Sequence, residues 1–146
     1  MLVQSPVSEL PFLGADFATD YDNAHAVILP IAYEATTTYR RGCENGPAAI
    51  LEASQQVEVY DEELDRETCE VGIWTHPAIA DTRNQQPVSS EEMLQVTQAS
   101  VAKLVHDGKF VISLGGEHSI TTGIVEAYRQ AHPGESFTVV QIDAHG

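Results

Sequence analysis

Two apolar runs, each ending in polar residues, constrain this chain most: Phe110-Val-Ile-Ser-Leu-Gly-Gly-Glu-His118-Ser119, and Phe137 to Ile142 followed by Asp143-Ala-His145-Gly146. Phe110 to Leu114 has the length and apolar content of a buried strand. Gly115 and Gly116 let the backbone turn tightly beyond it. Phe137 to Ile142 reads as a second buried strand. Ser119 to about Gln130 has helical spacing and is closed by Pro133-Gly134. Strand, helix and strand in this order predict a βαβ unit with parallel strands. Their carboxyl ends then share the sheet edge at which open α/β folds bind ligands. That edge carries His118, and it carries Asp143 and His145, which point the same way on extended backbone.

The preceding chain extends this pattern. Ala24 to Pro30 is an apolar run that predicts the first buried strand, with His25 as a core or edge histidine rather than a ligand. The threonine-rich stretch Tyr33 to Asn45 follows that strand and so falls at the ligand edge. Asn45-Gly46-Pro47 opens a helix with proline near its first position, and Ile50, Leu51, Ser54 and Val57 form its expected buried stripe. Asp61 to Asp65 is an acidic cluster that reads as a solvated loop, and Val71 to Trp74 as a short strand. Trp74 and His76 fit core packing better than a pocket wall. Ser89 and Glu92 have capping-box spacing. Met93, Val96, Thr97, Val101, Leu104 and Val105 follow at helical intervals, and Gly108 stops the helix. The order β-α-β-α-β-α-β predicts an α/β domain with helices on a mainly parallel sheet.

A net charge of −15 argues against nucleic acid or an anionic membrane as partner and suits a cationic small molecule, although such charge also serves solubility. Cys43 and Cys69 lack metal-type spacing and read as free thiols of a reducing compartment. With no apolar run of membrane-spanning length and no signal-peptide pattern, the cytoplasm is the expected location. The sequence stops one residue past a candidate ligand, which predicts that residues 1–146 are the N-terminal part of a single longer domain.

Taken by themselves, His118, Asp143 and His145 fit metal binding, but a helix-capping His118 and a strand-end turn at Asp143 explain the same residues. No Rossmann, Walker or nucleophile-elbow motif is present, and neither cysteine sits beside a histidine. Imidazole and carboxylate without thiolate favour Mn, Zn or Fe, with the carboxylate leaning towards Mn.

Leu114-Gly-Gly-Glu-His-Ser119 and Ile142-Asp-Ala-His145 resemble two metal motifs of the ureohydrolase family, the arginases and agmatinases. Tyr33 to Leu51 resembles that family's first block, in wording closer to the agmatinases. The resemblance runs from about Ala24 to Gly146. It implies a three-layer α-β-α, arginase-like fold, here truncated. It also implies a binuclear manganese site, two Mn2+ per subunit in the complete protein, with His118 on one ion, His145 on the other and Asp143 bridging. Activated water would add to a guanidinium carbon, as in the hydrolysis of agmatine to putrescine and urea, within polyamine biosynthesis. The family's further aspartates, its histidine proton shuttle and its guanidinium-binding carboxylate fall beyond Gly146. No catalytic residue is therefore expected within the chain, and no substrate-binding residue is assigned. In the family the strands ending at Leu114 and Ile142 are separated by two later strands, so both are expected to lose partners here, which exposes unpaired backbone and apolar faces. The resemblance further implies a homo-oligomer for the complete protein. An arginase, guanidinobutyrase or guanidine hydrolase is the alternative within the family; a scaffold with an incomplete site, or a metal-free ligand-binding domain, is the alternative outside it.

Overall fold

The structure, a computed structural model, describes residues 10–84 and 87–143. Its centre is β1 (Ala26–Ile31), every residue of which is buried. After β1 come α1 (Gly46–Ser54), a small antiparallel hairpin of β2 (Tyr60–Asp61) and β3 (Arg66–Glu67), β4 (Ile73–Thr75), α2 (Ser90–His106), β5 (Phe110–Gly115) and α3 (Ile120–Ala131). The main sheet has the order β4-β1-β5 and is parallel throughout. Ala26 pairs with Phe110 and with Ile73, so the three strands start in register.

Strand alternation sorts the two faces. Val27, Leu29 and Ile31 join Met93, Val101 and Leu104 of α2 and Ile120 and Ala127 of α3 in one core cluster. Ile28 and Pro30 point to the opposite face, where α1 lies with its buried Leu51. Helices therefore cover both faces of the sheet, as the three-layer reading requires.

Local signals act as expected at several points. Ser89 and Glu92 form a reciprocal capping box at the start of α2. Its stripe of Met93, Thr97, Val101 and Leu104 is buried, whereas Val96 is 37 % exposed. Gly108 sits at φ 73° past the end of the helix, a conformation that costs glycine little. Gly123 lets α3 approach α2 closely, because a Cβ there would stand 3.1 Å from the Thr97 side chain. Trp74 packs edge-on against Tyr21 and His76, with ring centroids 5.0 and 5.2 Å apart, and lies partly against the core. His25 is exposed beside the first strand.

Three expectations need correction. In α1 only Leu51 and Ser54 of the predicted stripe are buried; Ile50 faces solvent and Val57 lies past the helix end. Strand β5 is not buried: Phe110 is 61 % and Ile112 40 % exposed, because β5 is an edge strand with β1 on one side only. Phe137 to Ile142 forms no strand and is exposed along its length, up to 98 % at Ile142. An apolar run becomes a strand only where a partner completes its hydrogen bonds, and among the described residues none does. The segment instead borders an apolar cleft of about 400 Å3 shared with Val125, Tyr128 and His132.

Candidate functional site

The loops that follow β1, β4 and β5 emerge at the carboxyl edge of the sheet and are tied together there. Gly116 N–H donates to the Ile31 carbonyl at 3.0 Å and Glu117 N–H to the Tyr33 carbonyl at 2.9 Å. This contact needs glycine at 116, since a Cβ would stand 2.9 Å from both the nitrogen and the carbonyl carbon of Tyr33 and nearer still to its oxygen. From the loop after β4, Thr82 accepts from Glu34 N–H at 3.0 Å and donates to the Ala32 carbonyl.

Two buried carboxylates organise the edge. Glu117, 6 % exposed, accepts from Ala35 N–H and Thr36 N–H, both at 2.7 Å, on one oxygen. Its other oxygen accepts from the Thr36 and Ser119 hydroxyls, both at 2.6 Å. Burial pushes the Glu117 carboxyl up, but the bonds from Ser119, Thr36 and Ala35 outweigh it and hold the group below the usual carboxylate range. Glu34 accepts from the Thr37 hydroxyl at 2.8 Å and from Gly42 N–H at 2.7 Å. Its carboxyl is likewise raised by burial and lowered overall by these donors and by Cys43.

Thr36 to Tyr39, Glu117, His118, Ser119 and Gln141 line an open cleft of about 620 Å3 at this edge. The threonine-rich loop is thus where the sequence placed it, beside His118. His118 Nδ1 lies 3.5 Å from Asp143 Oδ2, with the imidazole 58 % and the carboxylate 21 % exposed. Gln141 donates to the same Asp143 oxygen at 2.9 Å. Two donors each about 2.1 Å from one divalent ion, at angles between octahedral and tetrahedral, stand roughly 3.0 to 3.4 Å apart. The His118–Asp143 pair therefore fits a shared metal with a small adjustment. His145 lies outside the described residues. His118 does not cap α3, and the Ser119 hydroxyl is given to Glu117 rather than to the helix.

Sequence reading missed the role of Glu117 and a neighbouring group, Glu34, Cys43 and Glu44, whose ligand-type atoms lie within 4.8 Å of one another. One Glu44 oxygen there is buried without a hydrogen-bond partner among the described residues. Burial and the nearby Glu34 carboxylate push the Cys43 thiol up to about 11, which makes it an inert donor rather than a thiolate ligand at neutral pH. The available signal was a glutamate two or three residues past each of two strands, at positions 117 and 34; their partners, mostly loop amides and hydroxyls, leave no mark in the sequence.

A parallel α/β sheet with an imidazole and a carboxylate converging at its carboxyl edge defines the class as an α/β domain with a ligand- or metal-binding edge. Residues 24–146 match the arginase family model, and the chain belongs to the arginase family. Over 136 residues it is 49 % identical to the N(1)-aminopropylagmatine ureohydrolase of Synechocystis sp., covering 92 % of this chain and 44 % of that protein. It is 34 % identical over 132 residues to the protein of the same name from Thermus thermophilus, covering 87 % and 41 % respectively. The crystal structure of agmatine ureohydrolase of Thermoplasma volcanium superposes with a TM-score of 0.68 at 30 % identity, over 77 % of this chain and 37 % of that one. The chain thus spans less than half of the length of these relatives.

Proposed function

We propose that this chain is the N-terminal part of a single ureohydrolase domain, whose whole protein is a cytoplasmic homo-oligomer that hydrolyses a cationic guanidino compound to urea and an amine. The observation that supports it is the convergence of His118 and Asp143 beside the threonine-rich loop at one sheet edge, in a chain of the arginase family. His118, Asp143 and His145 would hold manganese, which when bound lowers the pKa of water and polarises the guanidinium group. The chain's own part is to keep His118 and Asp143 adjacent and to present the cleft wall Thr36 to Tyr39. A net charge of −15 draws a cationic substrate towards it.

Agmatine is the first substrate reading, from the agmatinase-like wording of Thr36 to Leu51. N(1)-aminopropylagmatine is the second, favoured by the name of the relative at 49 % identity.

Residues 1–146 alone should release no urea, because three ligands cannot complete two coordination spheres and β5 has an open edge. The test is to express the chain with manganese, alone and with the remainder of the Synechocystis relative supplied in trans. Urea is then measured from agmatine, N(1)-aminopropylagmatine and arginine. Urea only after complementation, and slowest from arginine, is the expected result. Urea from the chain unaided would refute the incomplete-site reading, and comparable arginine turnover would move the assignment to a sister activity.

A further inference from the structure

We propose that Glu117 is a positioning residue: its buried carboxylate sets the Thr36–Tyr39 wall of the cleft beside His118 and, through that wall, the affinity for substrate. By residue type Glu117 is an obvious metal ligand or general base, since it precedes His118 and lines the same cleft. Its contacts assign it otherwise. Ala35 N–H, Thr36 N–H, the Thr36 hydroxyl and the Ser119 hydroxyl occupy both of its oxygens at 2.6 to 2.7 Å. A carboxylate with two donors on each oxygen has no lone pair left to offer an ion. The three bonds from Ala35 and Thr36 join two loops that stand 82 and 81 positions apart in sequence. One loop carries His118; the other supplies the wall. Tyr39 at the end of that wall is 79 % exposed, so burial does little to hold that end, while Glu34 ties the middle of the wall through the Thr37 hydroxyl.

This inference rests on the ureohydrolase reading, and its test separates the two. The protein to use is this chain joined at Gly146 to the remainder of the Synechocystis relative, loaded with manganese. In E117Q the amide oxygen keeps the two backbone donors while its NH2 donates to the Thr36 and Ser119 hydroxyls, which can rotate to accept. The variant is nearly isosteric and should fold, losing only the charge assistance of the bonds. In E117D the carboxylate falls one methylene short of the Thr36 loop.

A wall contact contributes equally to ground state and transition state, so its loss should raise KM with kcat nearly unchanged. For E117Q we expect KM for the best guanidino substrate to rise about tenfold, with kcat within about threefold, as for weakening the charge-assisted bonds from Ala35 and Thr36. E117D should raise KM further. Manganese content should match wild type in both. Amide exchange at Ala35 and Thr36 should quicken about tenfold in E117Q, while the buried turns of α2 stay unchanged. Loss of manganese with an unaltered KM would overturn the proposal in favour of a ligand role. Wild-type KM and wild-type exchange in E117Q would overturn it outright. If the wild-type fusion binds manganese but yields no urea from any guanidino compound, the ureohydrolase reading fails, and exchange at Ala35 and Thr36 alone then decides whether Glu117 holds the loop.

Discussion

Replacing Gly116 by alanine probes the contact on which the whole sheet edge depends. The new Cβ would lie 2.9 Å from the nitrogen and carbonyl carbon of Tyr33, and nearer to its oxygen. Tyr33 is fully buried and its backbone belongs to the loop that leaves β1, so relief requires the two chains to part. Parting weakens the Gly116–Ile31 and Glu117–Tyr33 backbone bonds, now 3.0 and 2.9 Å. Overpacking costs about 1–3 kcal/mol and the two bonds about 1 kcal/mol each, so the expected loss is about 3–5 kcal/mol. Two other glycines serve as controls. Gly108 has φ 73° and open space around it, so Gly108→Ala should cost about 1–2 kcal/mol from backbone conformation alone. At Gly115 a Cβ meets the Cδ1 of Ile120 at 2.6 Å, the free end of a side chain that can rotate, and about 1 kcal/mol is expected. Urea unfolding of the completed protein, followed by circular dichroism, gives the three values. A Gly116→Ala variant no less stable than Gly108→Ala would show that the two loops are not held as described.

Other outcomes follow from single groups. With its thiol pushed up to about 11, Cys43 should react with iodoacetamide at pH 8 far more slowly than a free cysteine; rapid modification would show that it is not screened beside Glu34. Hydrogen bonds from the backbone and side chain of Ser89 hold the Glu92 carboxyl below its ordinary value. Because the folded pKa is depressed, this stability is present above the unfolded pKa of about 4.3 and is lost as pH falls through the folded value. Ser89→Ala should remove about 1 kcal/mol at pH 7 and shrink this acid-labile component; an unchanged acid limb of the stability curve would contradict the linkage. Gly123→Leu should destabilise by wedging α3 from α2, since even a Cβ is tight against Thr97, and a wild-type melting temperature would count against that packing.

How far the sequence carried the structure depends on whether a signal was local. The Ser89–Glu92 box, the proline that opens α1 and the stop at Gly108 are each written within a few residues, and all three stand in the structure. The α2 stripe was legible for the same reason, since its 3.6-residue period is a property of one segment. Burial of β5 and the strand at Phe137 to Ile142 were misread because both depend on neighbouring strands. Val139-Val140 has strand composition, but composition supplies no hydrogen-bond partner. The β2–β3 hairpin escaped notice because two-residue strands leave too few positions for an alternation. At the site, parallel strands bring the threonine loop and His118 to one edge, whereas Asp143 reaches His118 from a segment that forms no strand. The work of Glu34 and Glu117 was not legible, since most of their donors are backbone amides and threonine hydroxyls whose positions only the fold determines.

If this edge is one half of a metal site, as proposed, metal content reports it. The completed protein, loaded with manganese and freed of excess ion, should retain about two ions per subunit, as histidine and carboxylate donors at one edge imply. His118→Ala should lower that content, and Asp143→Ala should lower it more, because Asp143 is assigned to both ions. Retention should also weaken in mild acid, where protons compete with the ion for imidazole ligands. Full manganese content in both variants, or none in the wild type, would contradict the account.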